Sequence, residues 1–370
     1  MPVPSVTPTP PKLICDLPTH TPNRSPAADV GYTVINYNTA TQTLRCIESL
    51  AHCAPPPAWI CVLDNASISA DFDKLLLGLK PVYQSHVQLF RSEANLGFAA
   101  GSNFLIDQLL NIPACNFIGL LNNDAVAKPE WVQLLRTALL ETTHPIGMSG
   151  GRMHKLHQPD EVDTLGISLY ASLMPADRKD TADPYLGPTG GCCLLTREFV
   201  QDIKSTTGYC YDARFFCYCE DTDLALRANL LGYRPAYVDQ LVAMHEGQAS
   251  AKTANENFIA YHGLRNAAWM HWKCIPSSIL LKHAPFLLLA HLLTFSRQTF
   301  SGRFSVMLKV YRDVFRSAAA LSTERTAFKA ATRVSGGSLE ASISRHFYRK
   351  RYIFVVLSEW KSWFFRAGRL

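Results

Sequence analysis

The chain has 370 residues, 48% of them hydrophobic and 18% charged, a composition that excludes a disordered or fibrous protein and allows one large domain with an appendage or two medium domains. The net charge of +6 is uneven: from Ser296 onward there are 15 Lys and Arg against 4 Asp and Glu, a local +11, which leaves the preceding part acidic. A basic end interleaved with aromatics points to an anionic lipid surface rather than nucleic acid, and eleven cysteines without regular spacing exclude a disulfide framework and point to a reduced, cytoplasmic protein.

The first 29 residues, rich in Pro, Thr and Ser, have no apolar run long enough for a signal peptide and are expected to be a disordered lead-in. From Gly31, short β-rich runs alternate with helical ones. Strands are predicted at G-Y-T-V-I-N-Y, W-I-C-V-L-D, V-Q-L-F-R and F-I-G-L-L-N. Helices are predicted at T-Q-T-L-R-C-I-E-S-L, F-D-K-L-L-L-G-L, G-S-N-F-L-I-D-Q-L-L and P-E-W-V-Q-L-L-R-T-A-L-L. This alternation predicts βαβ units and an α/β fold with a mostly parallel central sheet.

In such sheets ligands bind beyond the carboxyl ends of the strands. The residues following the four strands are Asn36, Tyr37 and Asn38; Asp64, Asn65 and Ser67; Asn95 to Gly97; and Asn122, Asn123 and Asp124. Each group alone reads as a turn, and their joint position at one sheet edge suggests a ligand site. Further on, F-F-C-Y-C-E-D-T-D-L-A-L-R crowds Glu220, Asp221 and Asp223 behind an apolar run. Asp221 or Thr222 is placed to cap a helix with apolar positions Leu224, Ala228 and Leu231 and a stop at Gly232.

Eight motifs in order, V-I-N-Y-N-T, V-L-D-N-A-S, N-L-G-F-A-A-G-S-N, L-L-N-N-D-A, G-P-T-G-G-C-C-L-L-T-R, the E-D-T-D stretch, M-H-E-G-Q-A-S and Y-H-G-L-R-N, resemble the family 2 glycosyltransferases, particularly rhamnosyltransferase-like bacterial members. The resemblance covers about residues 31 to 270 and implies a GT-A fold that transfers sugar from a nucleotide-sugar with inversion. It implies Asp221 as the general base, with Glu220, Gly190 and Gly191 on the acceptor side. Asp124 and His245 would hold a divalent cation, Mn²⁺ or Mg²⁺; at the start of that motif Asn122 departs from the family's Asp. Tyr37 would stack on a pyrimidine and Asp64 accept its N3 hydrogen, with Asn38, Asn65, Asn95, Gly97 and Asn123 around the nucleotide. Arg265, beside Asn266, would fork onto the diphosphate.

The expected division is a lead-in (1–29), a GT-A domain (30–270) and a basic, aromatic-rich helical region (271–370). The run from Ile279 to Phe295 contains Lys282 and Pro285 and reads as a core or interfacial helix rather than a membrane span. The tail, including R-H-F-Y-R-K-R-Y-I-F-V-V-L and W-K-S-W-F-F-R-A-G-R-L, reads either as an interfacial element at the inner face of the cytoplasmic membrane, near a polyprenyl-linked glycan acceptor, or as a packed helical subdomain. dTDP-rhamnose is the expected donor. A catalytically silent nucleotide-sugar-binding protein is the alternative, and an oxidoreductase is disfavoured because G-F-A-A-G is not the dinucleotide fingerprint.

Overall fold

The structure is a computed structural model that describes residues 9–17, 28–79, 85–140, 145–247 and 256–350, together with 352 and 354. In chain order the first half comprises β1 (Lys12–Leu17), β2 (Val30–Asn36), α1 (Ala40–Ala51), β3 (Trp59–Asp64), α2 (Ser69–Gly78), β4 (His86–Arg91), α3 (Gly97–Leu110), β5 (Phe117–Leu121), β6 (Ala125–Ala127) and α4 (Trp131–Leu140). There follow β7 (Ile146–Lys155), β8 (Gln158–Thr164), β9 (Ile167–Leu169), β10 (Pro175–Asp177), β11 (Cys192–Thr196), α5 (Arg197–Thr207), α6 (Glu220–Leu230), β12 (Arg234–His245), α7 (Glu256–Cys274), α8 (Ser277–Phe300), α9 (Phe304–Ala331) and α10 (Gly336–Glu340).

The sheet runs β1-β4-β3-β2-β5-β11-β7-β12-β6, with β8 on β7. Pairing is parallel across β4-β3-β2-β5 and again between β12 and β7, while β11 joins the two parts antiparallel to both neighbours. The four predicted strands of the first half are all present, and they run the same way because each is followed by a crossover helix. Their alternation divides the core. Ile60 and Val62 face α1, α2 and α4 on one side, and Cys61 and Leu63 face α3 on the other. That second face also takes α5, α6 and α7, together with Ile279 of α8 and Val310, Val314 and Leu321 of α9, so the C-terminal helices share the core of the α/β layer.

Two expectations change. The lead-in is not disordered throughout: Lys12–Leu17 forms an antiparallel edge strand on β4, held by ion pairs Lys12–Glu93 and His86–Asp16. The run from Ile279 to Phe295 lies inside the single 24-residue helix α8, and it is not a core helix, since Leu281, Phe286, Leu288, Leu289 and Leu292 are all exposed. All eleven cysteines are free thiols. The W-K-S-W-F-F-R-A-G-R-L stretch lies outside the described residues.

Candidate active site

The carboxyl ends of β2, β3 and β5 open on a cleft of about 1310 Å³. The turns that build its wall are tied to one another by side-chain amides. Asn36 Nδ2 donates to Asp64 Oδ1 (2.9 Å), Ser67 Oγ (3.0 Å) and Asp71 Oδ2 (3.0 Å), and its Oδ1 accepts from Thr43 Oγ1 (2.7 Å). Asn65 Nδ2 donates to Asn95 Oδ1 (3.0 Å) and the Gly97 carbonyl (3.3 Å), while its Oδ1 accepts from the Leu96 N–H (2.8 Å). Asn123 Nδ2 donates to Thr39 Oγ1 (2.6 Å) and Thr43 Oγ1 (2.9 Å). Asn38, at φ +56°, accepts from the Ile68 N–H (2.9 Å) through Oδ1. At Asn36 and Asn65 the buried amides have both their oxygen and their nitrogen paired, which holds these turns in one arrangement.

Of the expected nucleotide-side residues, Tyr37, Asn38, Asn65, Asn95, Gly97 and Asn123 line the cleft, and Tyr37 presents a 38% exposed ring there. Asp64 does not line it. Its side chain is fully buried, and its oxygens are taken by Asn36, the Ser67 N–H (3.4 Å) and Arg91 Nε (3.4 Å). Gly97 has φ +73°, and a Cβ there would stand 2.5 Å from the Phe216 carbonyl oxygen, so glycine is required by packing against the loop before α6.

At the other end, α6 begins at Glu220 after the loop 216–219, in which Phe216, Tyr218 and Cys219 all have positive φ (66°, 71° and 65°). Such non-glycine residues are costly and persist only when their surroundings fix them. Asn266 does the fixing: its Nδ2 donates to the carbonyls of Phe215 (2.9 Å), Cys217 (2.9 Å) and Tyr218 (2.8 Å). Arg265 completes the clamp, bonding the Arg214 carbonyl (3.0 Å), the Phe215 carbonyl (3.3 Å) and Asn266 Oδ1 (2.8 Å), and lying over the Trp269 ring at 4.3 Å. Arg265 does not line the cleft: its Nη2 bonds backbone carbonyls, its Nε bonds Asn266 Oδ1 (3.0 Å) and its Nη1 bonds Tyr261 Oη (3.3 Å).

Asp221 is not the helix cap. Cys219 precedes α6 without a side-chain cap bond, and Asp221 sits in the first turn facing the cleft. Its Oδ2 accepts from the Gly190 N–H (3.0 Å) and its Oδ1 from the Thr222 N–H (2.6 Å). Burial raises its pKa above the ordinary carboxylate range, against the lowering effect of those two N–H donors. Glu220, also in the cleft, is pushed well up by burial and by the Asp221 charge. Gly190 thus positions Asp221, and Gly191 leaves room for Asn122, whose side chain a Cβ there would meet at 2.4 Å. Asp223 faces away from the cleft: it is buried against Arg227 Nε (2.8 Å) and Lys273 Nζ (2.8 Å), and Lys273 also reaches Asp212 (2.9 Å). Burial alone would raise the Asp223 pKa, and the two cations outweigh it and hold it below the usual range.

Between the two ends, β5 and β12 bring Asp124 and His245 together. His245 Nε2 lies 3.0 Å from Asp124 Oδ1, and its Nδ1 lies 2.7 Å from Asp163 Oδ2 on β8. Burial opposes a charged imidazole, yet the hydrogen bonds and charges of the two carboxylates carry its pKa to about 10. No group of three or more His, Cys, Asp or Glu side chains surrounds one point among the described residues. The donor set is one carboxylate and one imidazole whose second nitrogen is oriented by another carboxylate. With the Nε2 proton given up to an arriving cation and Nδ1–H kept on Asp163, that set fits a divalent cation whose remaining positions are completed by substrate oxygens and water. Asp163 was not foreseen; it lies 82 residues from its partner on an otherwise exposed strand, and its spacing carries no signal.

The mostly parallel central sheet with helices on both faces and a C-terminal helical region is a GT-A fold. Solved structures share the fold. S. aureus TarS 1–349 in complex with UDP-GlcNAc aligns with TM-score 0.52 and 14% identity over 82% of this chain and 91% of that one. The same protein with UDP gives 0.50 and 13% over 82% and 90%. The mannosyltransferase PcManGT from Pyrobaculum calidifontis in complex with GDP-Man and Mn²⁺ gives 0.48 and 13% over 85% and 87%. No curated protein matches the chain. Residues 33–203 match the model of Glycosyl transferase family 2.

Proposed function

We propose that the protein transfers a sugar, with inversion, from a nucleotide-sugar to a hydroxyl of a glycan acceptor, with Asp221 as general base and a divalent cation held by Asp124 and His245. The observation that carries this reading is the placement of Asp221 and the Asp124–His245 pair on the walls of one cleft. The acceptor hydroxyl gives its proton to Asp221 as its oxygen bonds to the anomeric carbon, and the bond to the nucleoside diphosphate breaks with its electrons going to the leaving oxygen. The raised pKa makes Asp221 a stronger base than an ordinary carboxylate, and Oδ2, which accepts only from the Gly190 N–H, keeps a lone pair to receive the proton, while Oδ1 is held by the N–H and hydroxyl of Thr222. A bound Mn²⁺ or Mg²⁺ would offset the charge of the diphosphate. Tyr37 offers its ring to the base, and Asn65, Asn95 and Asn123 fix the turns against which the nucleotide lies.

Motif spelling favours dTDP-rhamnose as donor, and a lipid-linked glycan in cell-surface polysaccharide synthesis as acceptor, at the inner face of the cytoplasmic membrane. The test is nucleoside diphosphate release across a panel of dTDP-, UDP- and GDP-sugars with Mn²⁺ or Mg²⁺ and a polyprenyl-linked acceptor fraction. Release from one donor, dependent on acceptor, is expected. Binding of a donor without turnover under any acceptor would indicate a nucleotide-sugar-binding protein instead.

A further inference from the structure

Helix α8 has two faces of opposite character. His283, Ala290 and Thr294 are buried, and Ala290, Thr294 and Arg297 line the cleft. Leu281, Pro285, Leu288 and Leu292, spaced 4, 3 and 4 residues apart, fall on the other side of the helix at about 100° per residue, and Leu281 is 79% exposed. With Leu289 and Phe286 alongside, they make an apolar stripe along a helix one of whose flanks is the wall of the cleft.

Helix α9 repeats the pattern. Phe304, Leu308 and Phe315 are exposed at positions that share one side, and Arg312 and Arg316 follow them around the helix, with only Asp313 between them to offset their charge. The two helices form a hairpin, with Phe295 packed edge-on to Phe304 at 6.0 Å and His291 Nδ1 bonded to Tyr311 Oη at 3.1 Å. The α9 stripe, flanked by Arg312 and Arg316 in the part of the chain that carries a local +11, gives the hairpin a cationic side next to the α8 leucines, and the two together complement an anionic bilayer surface. By length and composition α8 alone would pass for a membrane span. However, His283 is bonded to the Ala171 carbonyl (2.7 Å) and the 283–294 flank is seated on the body, so the helix has one free face.

We infer that α8 and the first half of α9 dock on an anionic membrane surface, with the leucine stripe among the headgroups, so that the cleft opens beside the lipid and receives an acceptor presented from it. This rests on the transferase reading only for the identity of the acceptor.

The experiment is flotation of the full chain with vesicles of phosphatidylcholine, with and without phosphatidylglycerol, for the wild type and a Leu281→Asp/Leu288→Asp/Leu292→Asp variant. Melting temperature and nucleotide-sugar binding serve as folding controls, since all three side chains are exposed. The wild type is expected to float with phosphatidylglycerol vesicles and less so in high salt, and the variant to lose on the order of tenfold or more of its bound fraction. A second variant, Arg312→Glu/Arg316→Glu, should lose the dependence on phosphatidylglycerol. Wild type that stays in solution with both vesicle types overturns the proposal, as does a leucine variant that floats like wild type. So does a lipid-free dimer that the leucine variant dissociates, which would make the stripe an interface between copies. Flotation is read without turnover, so a failure of the transferase reading shows separately, as vesicle binding without nucleoside diphosphate release.

Discussion

The two ends of the cleft are held in place by different chemistry. On the side of β2, β3 and β5 the turns are fixed by side-chain amides, Asn36 bonding the turn after β3 and the helices α1 and α2, and Asn65 bonding the single turn 95–97. On the side of α6 and α7 the scaffold is ionic: Lys273, 2% exposed in its side chain, bridges Asp212 and Asp223, and Arg227 closes the cluster. The ionic cluster fixes the helix that carries Asp221 while keeping the charge of Asp223 turned away from it. Two acids two residues apart on α6 thus have opposite shifts, Asp221 raised by burial and Asp223 lowered by its cations.

The comparison can be broken in several ways. The largest effect is expected at the junction of the two halves. Chelation, or Asp124→Ala, should cut turnover by on the order of 10³-fold, several kcal/mol of stabilisation at the leaving group, with loss of Mn²⁺ binding by electron paramagnetic resonance. Unchanged turnover in chelator would detach Asp124 and His245 from the chemistry. On the ionic side, Lys273→Met leaves two buried carboxylates short of a partner and should destabilise the fold by about 3–5 kcal/mol in denaturant titration. A loss under 1 kcal/mol would mean the cluster is hydrated and does not fix α6. On the amide side, Asn65→Ala should cost about 1–3 kcal/mol, because Leu96 N–H and Asn95 lose their partner, and should raise the donor KM. The smallest effect is predicted for Arg265→Lys, about 1–2 kcal/mol of stability from lost bonds to carbonyls 214 and 215, with donor KM unchanged. A raised KM with unchanged stability would restore Arg265 to the diphosphate.

What was legible in the sequence follows from the same contrast. The strand ends could be read because parallel strands must be followed by polar turns on one edge, so Tyr37, Asn65, Asn95, Asn123 and Asp124 announce a site by position alone. The contacts among them were not legible, and neither was the burial of Asp64, whose partner Arg91 lies at the end of the next strand, 27 residues on. The ionic half was obscure for a further reason. Asp163 meets His245 across 82 residues, Lys273 meets Asp212 across 61, and no local pattern encodes such pairings. An R-N pair on a helix does not show which way its guanidinium points, so the bonds of Arg265 to the 214 and 215 carbonyls were not legible either. The edge strand at Lys12–Leu17 was hidden because its Pro-rich setting is local while its pairing with β4 is not.

The most direct test of the account is the pH dependence of turnover for wild type and Asp221→Asn, with nucleotide-sugar affinity measured on both. Turnover is predicted to rise as Asp221 loses its proton, giving the wild type an acid limb displaced above about pH 4, the ordinary carboxylate value, because burial raises that group. The variant should lose about 10²–10⁴-fold in kcat together with that limb, at unchanged donor affinity. A variant that keeps its rate and its acid limb would contradict the account and leave Asp221 as part of the first turn of α6.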